Sequence, residues 1–170
     1  FWQVFRFAIP TISAGNTVLL KHAPNVTGCS LAIEQAFKEA GFEDFVCQSL
    51  IIENSLTESI LQDFRVKGVS LTGSEKAGSA VASLAGKYLK KSVLELGGSD
   101  PFIVLKDADI QKAAQIGIQS RLQNARQVCV SAKRFIVEES VKEEFVQAVL
   151  AQLPSWKPND PTLLDTKMGP

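Results

Sequence analysis

The feature that most constrains the fold is the alternation of short apolar strands with helices over residues 17–96. Each strand segment is short and rich in apolar residues, and helical segments lie between successive strands. These strand segments are residues 17–21, 46–52, 66–71 and 92–96. Such alternation is typical of a parallel sheet, because a parallel connection needs a crossover, usually a helix. The sequence therefore predicts an α/β fold with a parallel sheet and helices on both faces.

The helices of this first part are predicted from apolar residues at helical spacing. Gly41 is predicted to end one of them in the C-terminal capping position, where glycine is favoured. The predicted helical segments are residues 1–14, 27–40, 56–64 and about 75–88.

After Gly97-Gly98 the alternation starts again, with strands predicted at 102–105 and 134–137. Helices are predicted at about 108–122 and 140–153. The glycine pair is the predicted domain boundary, so residues 1–97 belong to one domain. Residues 98–170 would then begin a second α/β domain.

Charge and hydropathy exclude several classes of partner. The chain has 18 Lys and Arg residues and 18 Asp and Glu residues, so its net charge is zero. No overall positive charge therefore attracts nucleic acid or an anionic membrane. No apolar run approaches the length of a membrane span. The first residues, FWQVFRFAIP, lack Met and read as the middle of a buried helix. We therefore expect an internal segment of a longer chain.

The three cysteines, Cys29, Cys47 and Cys129, show no metal-ligand spacing, and the chain has a single His. A zinc site is therefore not expected, and we expect no bound metal. Cys29 and Cys47 are predicted to be small core residues. A reduced, cytoplasmic protein is the expected setting for such cysteines.

Three polar residues stand at the carboxyl ends of predicted strands, which is where ligands bind in parallel sheets. Lys21, Thr72 and Glu95 each stand at the carboxyl end of a predicted strand, so right-handed crossovers would bring them to one edge. The turn from Thr72 to Gly78 reads TGSEKAG. Its glycines would let a helix N-terminus face a phosphate, with Ser74 as an added donor. An ordinary strand–helix turn explains the same pattern.

Glu95 and Cys129 are the parts needed to form a thioester and hydrolyse it. Each also has a plain structural interpretation. A lone cysteine is often a small core residue, and a lone glutamate is often solvated. Arg6, within an apolar helix, either reaches to the surface or holds a ligand carboxylate with its planar fork.

Four motifs in order, LLKHAP, LTGSEKAG, LELGG and QVC, resemble the aldehyde dehydrogenase family across the whole chain. The spacing of 34 residues from Glu95 to Cys129 also matches that family. The opening FWQVFRFA most resembles its succinate-semialdehyde branch. The resemblance implies a Rossmann-like NAD(P)-binding domain over residues 1–97. It also implies the N-terminal part of the catalytic domain over residues 98–170, in an enzyme that forms homo-oligomers.

The resemblance implies a role for each candidate residue. Cys129 would attack a small-molecule aldehyde and its N–H would donate to the developing oxyanion, while Glu95 would activate water. Arg6 would hold the carboxylate of the substrate. The cofactor, NAD or NADP, would be contacted by residues near its ribose, its pyrophosphate and its nicotinamide. These are Lys21 for the ribose, Gly73, Ser74 and Gly78 for the pyrophosphate, and Leu96 for the nicotinamide.

Two positions depart from the family pattern. Arg126 stands where the family has glycine, and it would either lower the pKa of the thiol or crowd a loop that needs glycine. Pro24 replaces an acid that many NAD-preferring members carry, so a 2′-phosphate would meet no repulsion there.

The family's catalytic Asn and a ribose-binding Glu are expected outside residues 1–170. We therefore expect negligible activity from the chain alone. One alternative is a non-catalytic fragment. Another is a reductive or CoA-acylating relative, against which LELGG at residues 94–98 argues.

Overall fold

The computed structural model describes residues 1–169, and the chain divides into two compact units between Leu96 and Gly97. The first unit alternates helices and strands. In chain order these are α1 (Trp2–Ser13), β1 (Val18–Leu20), α2 (Thr27–Glu39), β2 (Cys47–Ser49), α3 (Thr57–Gln62), β3 (Gly68–Thr72), α4 (Glu75–Lys87) and β4 (Lys91–Glu95).

Strand pairing in the first unit is parallel, as the alternation predicted. β1 pairs with β2 in a register that joins Val18 to Cys47. β3 pairs with β4 in a longer register that ends at Thr72 and Glu95. These are two separate two-stranded sheets. The predicted α/β class is confirmed, and its strands lie in pairs.

The core of the first unit forms where α1 and α2 cover β1 and β2. Val4 and Ala8 lie one helical turn apart, so both face the same side of α1, and both are buried. They pack in one cluster with Val18, Ile33, Phe37 and Cys47. Gly41 follows α2 with a φ of +85°, the left-handed conformation predicted for a glycine at this end of a helix.

The second unit repeats the pattern with β5 (Asp100–Val104), α5 (Ile110–Leu122), β6 (Ala132–Val137) and α6 (Lys142–Gln152). β5 and β6 are parallel and join Phe102 to Phe135, whose rings lie 5.4 Å apart. Asp109 begins α5, since its Oδ1 accepts the N–H of Lys112 at 3.1 Å. The buried core of this unit consists of Val104, Ile110, Ala114, Phe145 and Ala148.

The other face of the β5–β6 pair is apolar and uncovered in this unit. Ile103 and Ile136 are direct neighbours across the two strands, and their exposures are 62% and 49%. Side chains alternate between the faces of a strand, so these residues point away from buried Val104. Exposed apolar patches of this kind are typical of interaction surfaces.

Candidate active site

The ends of β3 and β4 lie side by side in the first unit. Thr72 is the register partner of Glu95, and the N–H of Gly73 donates to the backbone carbonyl of Glu95 at 3.0 Å. The turn into α4 therefore begins directly beside the candidate base. This is the edge of a parallel sheet at which ligands bind in α/β folds.

Arg6 of α1 reaches the same place. Its Nη2 lies 3.4 Å from Glu95 Oε2, and the two side chains are 42% and 44% exposed. The structure thus brings together the predicted carboxylate-binding residue and the predicted base. Because the guanidinium stays accessible to solvent and offers several N–H donors, a second carboxylate can bind beside Glu95.

The turn before α4 has exposed backbone and a capping serine. Ser74 Oγ accepts the N–H of Ala77 at 3.2 Å and so begins the helix, while its own hydroxyl proton stays available as a donor. Gly73 and Ser74 are both exposed. This helix N-terminus can therefore present N–H groups and a hydroxyl to an anion.

Gly78 is placed differently from its two neighbours in the motif. It is buried, and a Cβ added there would lie 2.6 Å from Cδ2 and 2.8 Å from Cδ1 of Leu96. Only a residue without a side chain lets Leu96 pack onto α4 in this position. The turn pattern did not predict this packing role, because it depends on contact with Leu96, a residue that comes later in the chain.

Lys21 lies in the loop after β1, in the other strand pair of the first unit. It is half-buried, and its Nζ donates to the carbonyl of His22 at 3.4 Å. His22 Nδ1 accepts the N–H of Ala23 at 2.9 Å, so the neutral ring carries its proton on Nε2. Burial lowers the pKa of His22, and the positive charge of Lys21 lowers it further.

A cavity of about 250 Å³ opens at the carboxyl ends of β1 and β2. Its walls combine apolar side chains with His22, Ser30 and one acid, Glu53. The full lining is His22, Pro24, Thr27, Ser30, Leu50, Ile51, Ile52 and Glu53. A mostly apolar cleft with a few polar groups suits a flat aromatic base and its sugar.

Cys129 lies in the second unit, in a tight turn just before β6. The N–H of Ser131 donates to the carbonyl of Val128 at 3.2 Å and closes this turn. Cys129 is half-buried, so its thiol is neither sealed in the core nor fully exposed. Buried Ser131 holds the turn to the end of α5 by donating from Oγ to the carbonyl of Ser120 at 2.8 Å.

The backbone between α5 and this turn is left-handed at three successive residues. The φ angles are +50° at Asn124, +50° at Ala125 and +71° at Arg126. Residues other than glycine are strained in this region, Asn less than most. Arg126 therefore occupies a conformation that favours glycine, and its side chain is exposed. This geometry favours the interpretation that the loop needs glycine at residue 126.

Residues 1–169 hold neither a metal-binding cluster nor a membrane-spanning helix. No group of three or more His, Cys, Asp or Glu side chains in this range could hold a metal ion. Within the same range no helix has the length and apolar character of a membrane span.

Comparison with known proteins gives matches over the whole chain. The profile of the aldehyde dehydrogenase family matches residues 1–170. A probable succinate-semialdehyde dehydrogenase (NADP+) from Synechocystis is 50% identical over 170 residues. A succinate semialdehyde dehydrogenase (NAD(P)+) from Escherichia coli is 47% identical over 169 residues. These alignments cover 100% and 99% of the chain and 37% of each relative.

A solved structure gives the same result for the fold. The succinic semialdehyde dehydrogenase from Streptococcus pyogenes, in complex with NADP+, superimposes with a TM-score of 0.95 at 39% identity. The match covers 100% of this chain and 37% of that one. The chain thus spans little more than a third of the length of these similar proteins.

Proposed function

This chain belongs to the aldehyde dehydrogenase family, and from that membership we propose that it forms part of a semialdehyde dehydrogenase. Membership confirms the resemblance found in the four sequence motifs. The proposed reaction is oxidation of succinate semialdehyde to the dicarboxylate with NAD or NADP. In this proposal residues 1–97 are part of the NAD(P)-binding domain and residues 98–170 begin the catalytic domain.

The observation that carries the choice of substrate is the Arg6–Glu95 pair at 3.4 Å. Succinate semialdehyde has an aldehyde at one end and a carboxylate at the other. A carboxylate bound to the guanidinium of Arg6 would lie next to Glu95, and the aldehyde would extend from it. The similar proteins from Synechocystis and Escherichia coli carry the same substrate in their names, which also supports the proposal.

In the proposed chemistry Cys129 is the nucleophile. Its thiolate adds to the aldehyde carbon and forms a thiohemiacetal, while the Cys129 N–H donates to the oxyanion. NAD or NADP, when bound, supplies the acceptor for the hydride that leaves this carbon. The acyl group is then held on sulphur as a thioester. Glu95 takes a proton from water, and the hydroxide released attacks the thioester to free the acid and the thiol.

The cofactor assignment draws on three features of the first unit. The cavity after β1 and β2 would take adenosine, and Lys21, the residue before His22 of its lining, would contact the ribose. Gly73 and Ser74 at the start of α4 suit a pyrophosphate. Gly78 acts by letting Leu96 pack against α4, so that the backbone of Leu96 stays beside Glu95 for the nicotinamide.

Both NAD and NADP remain in the proposal. Pro24 adds no negative charge to the cavity, but Glu53 lines it and would repel a 2′-phosphate that came close. Lys21 would attract such a phosphate. Homo-oligomeric assembly and a cytoplasmic location remain predictions.

The direct test is an enzyme of full family length that contains residues 1–170. We expect reduction of NAD or NADP with succinate semialdehyde, and loss of that activity in Cys129→Ser. The 170-residue chain alone should show negligible turnover. Full activity in Cys129→Ser would contradict the assignment of the nucleophile, and turnover by the isolated chain would contradict the need for further segments.

A further inference from the structure

We propose that Lys133 is a positioning residue for Cys129, an inference that rests on the proposed role of Cys129 as nucleophile. Lys133 is the second residue of β6 and is half-buried. Its side chain folds back over the preceding turn. Its Nζ donates to the carbonyl of Cys129 at 2.9 Å and to the carbonyl of Val128 at 3.2 Å.

These two carbonyls belong to the two peptide groups on either side of the Cys129 Cα. The Val128 carbonyl shares a planar peptide with the Cys129 N–H, so holding the oxygen also fixes the direction of the N–H. That N–H is the proposed donor to the developing oxyanion. The Cys129 carbonyl lies in the next peptide. Lys133 therefore restrains both backbone torsions of the nucleophile from a single ammonium group.

The closing hydrogen bond of the turn does not achieve this alone. The Ser131 N–H holds the Val128 carbonyl but makes no bond to the Cys129 carbonyl. The peptide between Cys129 and Val130 is the central peptide of the turn. Such a peptide can rotate between two common turn types while the residues at both ends stay in place. The bond from Lys133 to the Cys129 carbonyl opposes this rotation.

The positive charge of the Lys133 ammonium group also strengthens its hydrogen bonds to the two carbonyls. A hydrogen bond from a charged donor is stronger than a neutral one, and partial burial reduces its competition with water. A cation on the Val128 carbonyl also polarises that peptide, which makes the Cys129 N–H a better donor. Both effects exist before substrate binds, as preorganisation requires.

The turn has a separate anchor, so Lys133 can be changed without freeing the whole loop. Ser131 Oγ donates to the carbonyls of Ser120 and Arg121, at 2.8 and 3.2 Å. The N–H of Ala132 donates to Ser120 Oγ at 3.1 Å. Loss of Lys133 should therefore alter the orientation of the peptides at Cys129 while the turn stays attached to α5.

The experiment measures the single-turnover burst of reduced cofactor in an enzyme of full family length that contains residues 1–170. Lys133→Met keeps the length of the side chain and removes its donors. We expect the burst rate to fall about 10- to 100-fold, the range that a small misplacement of a reacting group costs. KM for the aldehyde and for the cofactor should change by less than about threefold, since Lys133 is not proposed to bind either.

Two further variants separate positioning from a general structural role. Lys133→Arg keeps a cationic donor and should recover most of the burst rate. Lys142→Met is the matched control, because Lys142 is exposed and contacts Glu139 on the surface of the same unit. It should leave the burst rate unchanged. Melting temperatures of all the variants show whether each is folded.

The outcomes are distinguishable. A burst in Lys133→Met as fast as in the unmodified enzyme would overturn the inference. So would a loss that follows the melting temperature and is not recovered in Lys133→Arg. If Lys133→Met does not fold, Lys133→Leu takes its place, since it also removes the donor, and a full-rate burst there would overturn the inference. Absence of a burst in the unmodified enzyme would instead reject the proposed function and the inference with it.

Discussion

Arg6 Nη2 and Glu95 Oε2 lie 3.4 Å apart, although 89 positions separate the two residues in the chain. The contact joins α1 to the carboxyl end of β4. Both side chains are almost half exposed, so the pair adds at most about 1 kcal/mol to stability. The contact therefore matters little for stability, and it holds a guanidinium group beside the candidate base.

The first prediction concerns the substrate carboxylate. Arg6→Met should raise KM for succinate semialdehyde about 10- to 100-fold, the value of a charge-assisted hydrogen bond to a carboxylate. Butanal lacks the carboxylate, so its KM should change little. Steady-state kinetics with both aldehydes measure the difference. Equal increases for the two aldehydes would mean that Arg6 does not recognise the carboxylate.

The second prediction concerns the contact of Gly78 with Leu96. Gly78→Ala would place a methyl group within 2.8 Å of both Leu96 Cδ atoms, so Leu96 must move. We expect overpacking to cost about 1–3 kcal/mol in the free energy of unfolding, offset in part by the ~0.5–1 kcal/mol that Ala gains over Gly inside a helix. Denaturant unfolding measures this loss, and Gly78→Ala should cost much less when it is made in a Leu96→Ala background.

Gly86 provides the matched control for this substitution. It lies in the same helix, and a Cβ added there would meet nothing within 4 Å. Gly86→Ala should therefore stabilise the protein by about 0.5–1 kcal/mol, the ordinary gain of Ala over Gly inside a helix. Equal effects at Gly78 and Gly86 would contradict the packing role of Gly78.

The third prediction concerns the strained backbone at Arg126, whose φ is +71°. Arg126→Gly should raise the free energy of unfolding by about 0.5–1 kcal/mol. This is the balance between relief of ~1–2 kcal/mol of left-handed strain and the larger conformational entropy of glycine when unfolded. A faster enzyme should accompany it. Unfolding and turnover measurements test the two effects separately.

Gln127 is the control for the loop, because it is the next residue and has a φ of −95°. Gln127→Gly relieves no strain, so it should destabilise the protein by about 0.5–1 kcal/mol. If Arg126→Gly destabilised the protein as much as Gln127→Gly, the proposed strain at Arg126 would be absent. A slower Arg126→Gly enzyme would instead favour an electrostatic role for the arginine.

The fourth prediction is a pH dependence at Asp63. Hydrogen bonds from the side chain and the backbone N–H of Arg65 lower the pKa of Asp63 from its ordinary 3.8 to about 2. Since the folded pKa is depressed, the stabilisation is complete above the ordinary pKa. It is lost as the pH falls from about 4 to about 2. Carboxyl NMR titration should show the low midpoint.

Arg65→Met should move that midpoint upward, because it removes the guanidinium bonds and leaves the backbone N–H in place. Lys67→Met is the control, since Lys67 is a nearby cation whose Nζ bonds to Phe64 instead. It should leave the titration of Asp63 almost unchanged. If Asp63 in the unmodified protein titrated at the ordinary value for aspartate, the hydrogen bonds from Arg65 to Asp63 would be contradicted.

Local sequence patterns were sufficient for most of the fold. The turn at Gly73 and Ser74, the capping glycine at Gly41 and the alternation of strands and helices all follow from interactions between near neighbours. The parallel pairing of β3 with β4 also follows, because a helical crossover joins them. The division of the strands into separate pairs does not, since it depends on hydrogen bonds between segments far apart in the chain.

The candidate site needed tertiary structure in four places. Arg6 meets Glu95 only through the packing of α1, which no local pattern describes. The sequence placed Gly78 in a phosphate-binding turn, but the structure shows that the Leu96 side chain leaves no room for a larger residue at position 78. The left-handed backbone at Arg126 could be suspected only because the resemblance places glycine there. The two bonds of Lys133 likewise depend on the path of the turn and not on residue type.

The central claim is that Cys129 carries the acyl group and that Glu95 is needed to release it. The most direct measurement is a single turnover of Glu95→Gln in an enzyme of full family length, with Glu143→Gln, an exposed residue of α6, as the control. We predict a burst of about one reduced cofactor per site, little further turnover, and an acyl group on Cys129 by mass spectrometry. Continued turnover at the unmodified rate, or an acyl group on Cys29 instead, would contradict the account.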